Sequence, residues 1–149
     1  MSISLLFEFN IVKSEGFTSV NLIECFLKEG WSLYSEEGEI IYTDVGDIDD
    51  FDYQANCFSE QDYFKIVSQK ERNSEVIAFR LYWLEQNDRY RVDVLITPQF
   101  EILISPDDET KKMLESELKM LDVNWYFYRI LMTLSNSGII VESYCFKQY

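Results

Sequence analysis

Five aspartates, Asp44, Asp47, Asp49, Asp50 and Asp52, fall within a stretch of nine residues. Carboxylates crowded in this way can coordinate a divalent cation, share a proton as an acid–base pair, or face a basic partner, and each use demands a different setting. The calcium pattern fails on spacing. Starting an EF-hand loop at Asp47 puts Asp52 where the turn glycine belongs and Phe58 where the bidentate glutamate belongs. An irregular Ca²⁺ or Mg²⁺ site stays open as an alternative. Separated carboxylates also suit glycosidase-type chemistry, but any acidic chain offers such pairs and nothing singles one out.

Other catalytic chemistry lacks its residues. The chain has no histidine, which removes the commonest general base, the Ser-His-Asp and Cys-His arrangements and every histidine-containing zinc site. No glycine-rich phosphate loop is present. Pro106-Asp107 followed by Glu117-Leu118-Lys119 imitates the spacing of a PD-(D/E)xK nuclease, yet these residues lie on a helical pattern instead of a β-hairpin. Cys25, Cys57 and Cys145 are far apart, odd in number and without a paired spacing, so they read as free, structural, buried thiols in a reducing compartment. The expected enzyme class is none, and no cofactor is implied.

The acidity is local. The net charge is −14, and residues 29 to 64 carry eleven acidic side chains with no Lys or Arg. Charge so concentrated repels itself and is most easily tolerated where it is solvated, bound to metal or opposite a basic partner. Within the run Asp44-Val45-Gly46-Asp47-Ile48-Asp49-Asp50-Phe51-Asp52-Tyr53, apolar side chains interleave with the carboxylates. They either anchor a solvated loop to the core or stand as interface anchors among charges that meet Lys and Arg. Direct binding to nucleic acid is disfavoured, because phosphate is repelled and Arg80, Arg89 and Arg91 are interspersed with Glu85, Asp88 and Asp93.

The elements that must position these residues follow from periodicity. At 149 residues and 47% hydrophobic, the chain is long and apolar enough for one core and is expected to fold as a single domain, 1–149. Ile3, Leu5, Phe7, Phe9 and Ile11 alternate with polar residues as a half-buried strand. Ser19 is placed to cap a helix that ends at Gly30. Trp31 to Tyr34 and Ile40 to Val45 flank SEEGE as a hairpin turning at Gly38. Ser59 caps a short helix presenting Tyr63, Ile66 and Val67. Val76 to Leu84, Tyr90 to Thr97 and Phe100 to Ile104 form an antiparallel meander. Ser105 and Pro106 read as N-cap and first residue of a helix carrying Leu114, Leu118 and Leu121. Asp122 caps another helix, apolar on most of its surface and expected to be central, which Gly138 ends before a last strand, Ile139 to Phe146. The order β-α-ββ-α-βββ-αα-β predicts an α+β fold, a single largely antiparallel sheet with packed helices. The amino-terminal run lacks a basic start and is interrupted by Glu8, and the apolar stretch Val123 to Leu134 is short and contains Arg129. A cytoplasmic protein without a membrane association is expected.

Gly30-Trp31, the hairpin SEEGEIIYTD and the run Gly46-Asp47-x-Asp49-Asp50-Phe51-Asp52-Tyr53, in a small, strongly acidic α+β chain, resemble the immunity proteins of bacterial toxin–immunity systems. These include the systems of contact-dependent growth inhibition and other polymorphic toxins. The resemblance, one of type over about residues 30 to 53, implies a non-enzymatic protein that binds a cognate basic toxin domain, often a nuclease, and blocks it. The candidate partner-binding residues are Glu36, Glu37, Asp44, Asp47, Asp49, Asp50, Phe51, Asp52 and Tyr53. A general acidic adaptor or nucleic-acid mimic and a metal-dependent enzyme using the aspartate cluster are the alternatives.

Overall fold

The computed structural model describes residues 5–107, 113 and 122–148. In chain order they form β1 (Leu5–Ile11), α1 (Ser19–Lys28), β2 (Ile40–Tyr42), β3 (Gln54–Asn56), α2 (Glu60–Arg72), β4 (Ile77–Glu85), β5 (Asp88–Ile96), β6 (Glu101–Pro106), α3 (Val123–Asn136) and β7 (Val141–Gln148). The seven strands make one antiparallel sheet in the order β3-β2-β4-β5-β6-β1-β7, an α+β fold.

A single register row shows how the core is assembled. Tyr42 lies opposite Phe79, Phe79 opposite Val94, Val94 opposite Ile104, Ile104 opposite Phe7 and Phe7 opposite Phe146. Paired residues in neighbouring strands point to the same side, so this row forms one apolar face. The helices cover it: Tyr63 of α2 packs edge-on against Phe79, and Tyr126 of α3 packs at a tilt against Phe7. The adjacent row, Arg80–Asp93–Ser105, points to the opposite face and is polar. One face of the sheet therefore carries the core, and the other is free to carry chemistry.

Local sequence explains the helix starts. Thr18, not Ser19, is the N-cap of α1: its hydroxyl accepts from the Asn21 N–H while the Asn21 side chain accepts from the Thr18 N–H. The Ser19 hydroxyl and N–H donate instead to Glu71 of α2, tying the two helices together. Ser59 and Asp122 cap α2 and α3 as their positions suggest. At Gly30 (φ +114°) a side chain would be strained, because L residues rarely adopt this conformation and a Cβ there would press on the Trp83 ring at 3.2 Å.

Four further expectations are corrected. Residues Trp31 to Tyr34 are not a strand; they touch the sheet through two isolated bridges, Ser32 to Tyr82 and Tyr34 to Ile40. Ser105 and Pro106 close β6, where Pro106 lies opposite Val92, and do not start a helix. The rest of that expected helix, with Leu114, Leu118 and Leu121, lies outside the described residues. Helix α3 is not enclosed, since Tyr128 and Met132 are exposed on its outer side. Cys57 and Cys145 are exposed rather than buried, and the three cysteines are free. Among the described residues no helix is long and apolar enough to cross a membrane.

Candidate functional site: a pinned acidic loop beside an arginine-floored cleft

The aspartates occupy the connection from β2 to β3, and a buried lysine holds that connection in place. Lys70, near the end of α2, is 1% exposed, and its ammonium donates to the carbonyl oxygens of Asp44 at 2.7 Å and Asp47 at 2.8 Å. Its counter-charge is Glu75, 8% exposed, at 3.3 Å. Glu75 in turn accepts from the Gly46 N–H and from Asn73. Gly46 adopts φ +92°, a conformation glycine takes without strain, which lets the loop wrap the ammonium. Burial alone would push the Glu75 carboxyl up, but the hydrogen bonds from Asn73, Gly46 and Lys70, with the Lys70 charge, outweigh it and hold the carboxyl below its ordinary value.

The second half of the loop is built by Asp47. One carboxylate oxygen accepts from the Phe51 N–H at 3.0 Å and the other from the Asp52 N–H at 2.7 Å. This clamp holds Phe51 at φ +51°, a sparsely populated region for a bulky residue. Asp47 therefore spends its charge on its own backbone. Asp44 accepts from the Val45 N–H. Asp49, Asp50 and Asp52 are exposed, and among the described residues no ion pair engages them.

The two aromatics divide. Phe51 is 41% exposed, beside Ile48 at 54%. Tyr53 is half-buried on the polar face of the sheet, its ring 4.9 Å from the Arg80 guanidinium carbon. Burial, and then the Asp93 charge, push its phenol up against the pull of Arg80.

Glu36 and Glu37 are not part of this loop. They sit at the turn preceding β2, where the Ser35 N–H bonds to the Glu39 carbonyl, whereas the loop follows β2. A three-residue strand rises on the order of 10 Å, so the two acidic groups are held at opposite ends of β2. Beside the turn runs a cleft of about 670 Å³ on the polar face of β4 and β5, bordered by Glu36, Glu37, Glu39 and Asp88 and floored by Arg80, Tyr82, Arg89 and Arg91; no residue of the 44–53 loop lines it. Arg80 pairs with Asp93 at 3.2 Å, and Arg91 with Asp93 and Asp107. Desolvation raises the Asp93 carboxyl even so, partly offset by Arg80 and Arg91. Arg89 donates to the Tyr34 carbonyl at 2.8 Å and lies against the Tyr82 ring.

Sequence reasoning missed Lys70, Glu75 and the cleft. The alternation of Arg80, Tyr82 and Leu84 across from Arg89, Arg91 and Asp93 on two paired strands was the available signal for the cleft. Nothing comparable marked Lys70, which occupies a helix of low mean hydropathy among exposed charges. Among the described residues no group of three or more His, Cys, Asp or Glu is arranged to hold a metal ion. No protein-family model, curated protein or solved structure matches the chain.

Proposed function

We propose that this protein is a non-enzymatic immunity protein that binds and neutralises a cognate basic toxin domain, a nuclease in the first instance. The observation that carries the reading is the construction of the 44–53 loop. Lys70, Glu75 and Asp47 fix its backbone from beneath, and Ile48, Asp49, Asp50, Phe51 and Asp52 are left facing solvent. A loop already ordered in the free state loses little further entropy on binding, and carboxylates around apolar side chains suit a partner rich in Lys and Arg. Phe51 is the anchor in this reading, and the half-buried Tyr53 supports the loop from its contact with Arg80.

The test starts from the neighbouring reading frames: if one encodes a large secreted protein with a variable carboxy-terminal domain, binding kinetics are measured against that domain. Association is expected to slow steeply as salt rises while dissociation changes less, since screening acts over about 8–10 Å near physiological ionic strength. Phe51→Ala is expected to leave the melting temperature nearly unchanged and to weaken the complex at least about tenfold. A salt-independent association rate removes the electrostatic argument. Equally tight capture of many unrelated basic proteins favours a general acidic adaptor or nucleic-acid mimic.

A further inference from the structure

Two residues of the cleft floor carry hydrogen-bond donors that the fold leaves unused. Tyr82 is 5% exposed and lines the cleft, yet its hydroxyl has no hydrogen-bond partner among the described residues. The hydroxyl is not sealed from solvent, so it stands as a donor open to a ligand that enters the cleft. Beside it, Arg89 is the one floor guanidinium without a carboxylate partner among the described residues; its guanidinium carbon is 5.6 Å from the Tyr82 ring, and of its five N–H donors one is committed to the Tyr34 carbonyl. Burial pushes the Tyr82 phenol up, against the pull of Arg80 and Arg91, so it stays a neutral donor at physiological pH.

The geometry points to a carboxylate subsite: Arg89 and the Tyr82 hydroxyl receive an Asp or Glu side chain of a protein segment whose flanking Lys or Arg residues meet Glu36, Glu37, Glu39 and Asp88 at the rim. A guanidinium suits a carboxylate because its parallel N–H groups match the two oxygens. Phosphate fits the same donors but not the setting. Four rim carboxylates and a net charge of −14 repel a multiply charged anion, whereas a single carboxylate embedded in basic residues satisfies floor and rim together. The cleft is within the size range of ordinary ligand pockets, about 300–1,000 Å³. This deepens the reading of a basic partner, and rests on it for the source of the segment alone.

The experiment uses the full chain and three probes: the blocked peptide acetyl-Lys-Lys-Asp-Lys-Lys-amide, its Asn counterpart, and inorganic phosphate. Binding is followed by NMR at the Arg89 side-chain N–H and the Tyr82 ring. The Asp peptide is expected to shift both groups saturably and to bind at least about tenfold more tightly than the Asn peptide; Tyr82→Phe, which removes a hydrogen bond to a charged group, should erase most of that difference. Arg89→Lys, which keeps the charge but loses the fork, should weaken the Asp peptide selectively. Equal binding of the two peptides, no shift at Arg89 and Tyr82, or a preference for phosphate would each overturn the subsite. Asn at Asp49, Asp50 and Asp52 should leave the peptide preference unchanged, so loss of toxin binding in that variant and loss of the subsite are separate outcomes.

Discussion

The loop at 44–53 and the turn at 35–39 both offer carboxylates to solvent, but they are built in opposite ways. In the loop, acidic side chains are structural material: Asp47 clamps two backbone N–H groups, and Glu75, from outside the run, holds a third together with the Lys70 ammonium. At the turn the sheet does the work. Bridges from Ser32 to Tyr82 and from Tyr34 to Ile40 set the backbone, Arg89 holds the Tyr34 carbonyl, and the Glu36 and Glu37 side chains hydrogen-bond to no described residue. A count of acidic residues treats the two regions as one surface. Their hydrogen bonding separates carboxylates that fold the chain from carboxylates available to a partner.

The sharpest way to break this contrast is to remove the internal cation. Lys70→Met leaves Glu75 buried and uncompensated, and is expected to cost about 3–5 kcal/mol of stability in chemical denaturation. Glu36→Gln should fall within about 0.5 kcal/mol of the parent. Hydrogen exchange should show the loss first at Gly46. Acid should act in the same direction. Because the Glu75 carboxyl is held below its ordinary value in the folded state, its contribution is complete above that ordinary value, about 4.5, and is lost as pH falls through the lower folded one. If Lys70→Met behaves like Glu36→Gln, the loop is not pinned and the contrast collapses.

A smaller effect tests the loop's other fixing point. Asp47→Ala strips the acceptor from the Phe51 and Asp52 N–H groups and frees Phe51 from its positive φ. By analogy with the loss of a helix cap, the cost should be about 1–2 kcal/mol. Asp49→Ala, two residues away, should cost almost nothing. Equal effects would mean that Asp47, like its neighbours, is surface charge.

Much of the frame was legible in the sequence, because period and caps are local signals. Phe7 and Phe9 on β1, Ser59 before α2, Asp122 before α3 and the turn between β4 and β5 all announced themselves. What escaped depends on tertiary contacts. Strand β3 has exposed residues only, Gln54, Ala55 and Asn56, so no apolar alternation betrayed it. The Thr18 cap competes with an equally plausible Ser19, and the choice is made by Glu71, which is 52 residues away and claims the Ser19 side chain. Lys70 looks like any other charge on α2 until the chain folds 44–47 over it. The candidate site was thus half visible: its carboxylates could be read, and the groups that sort them into two kinds could not.

The smallest expected effect concerns the carboxylates left over once the structural ones are set aside. Asp49, Asp50 and Asp52 are exposed, without ion pairs among the described residues, in a protein of net charge −14. Replacing all three with Asn removes mutual repulsion and no backbone acceptor that the loop uses, so the free protein should gain stability, by about 0.5–1 kcal/mol at low ionic strength, where exposed charges interact only weakly through water. Salt decides whether repulsion is the cause. At 1 M the screening length falls to about 3 Å, shorter than the spacing of most such side chains, and the gain should vanish. A gain that persists at high salt would come from a packing or hydrogen-bond change instead. A loss at any salt would mean that these three, like Asp47, help to build the loop, and the line drawn between folding carboxylates and partner-facing ones would have to move.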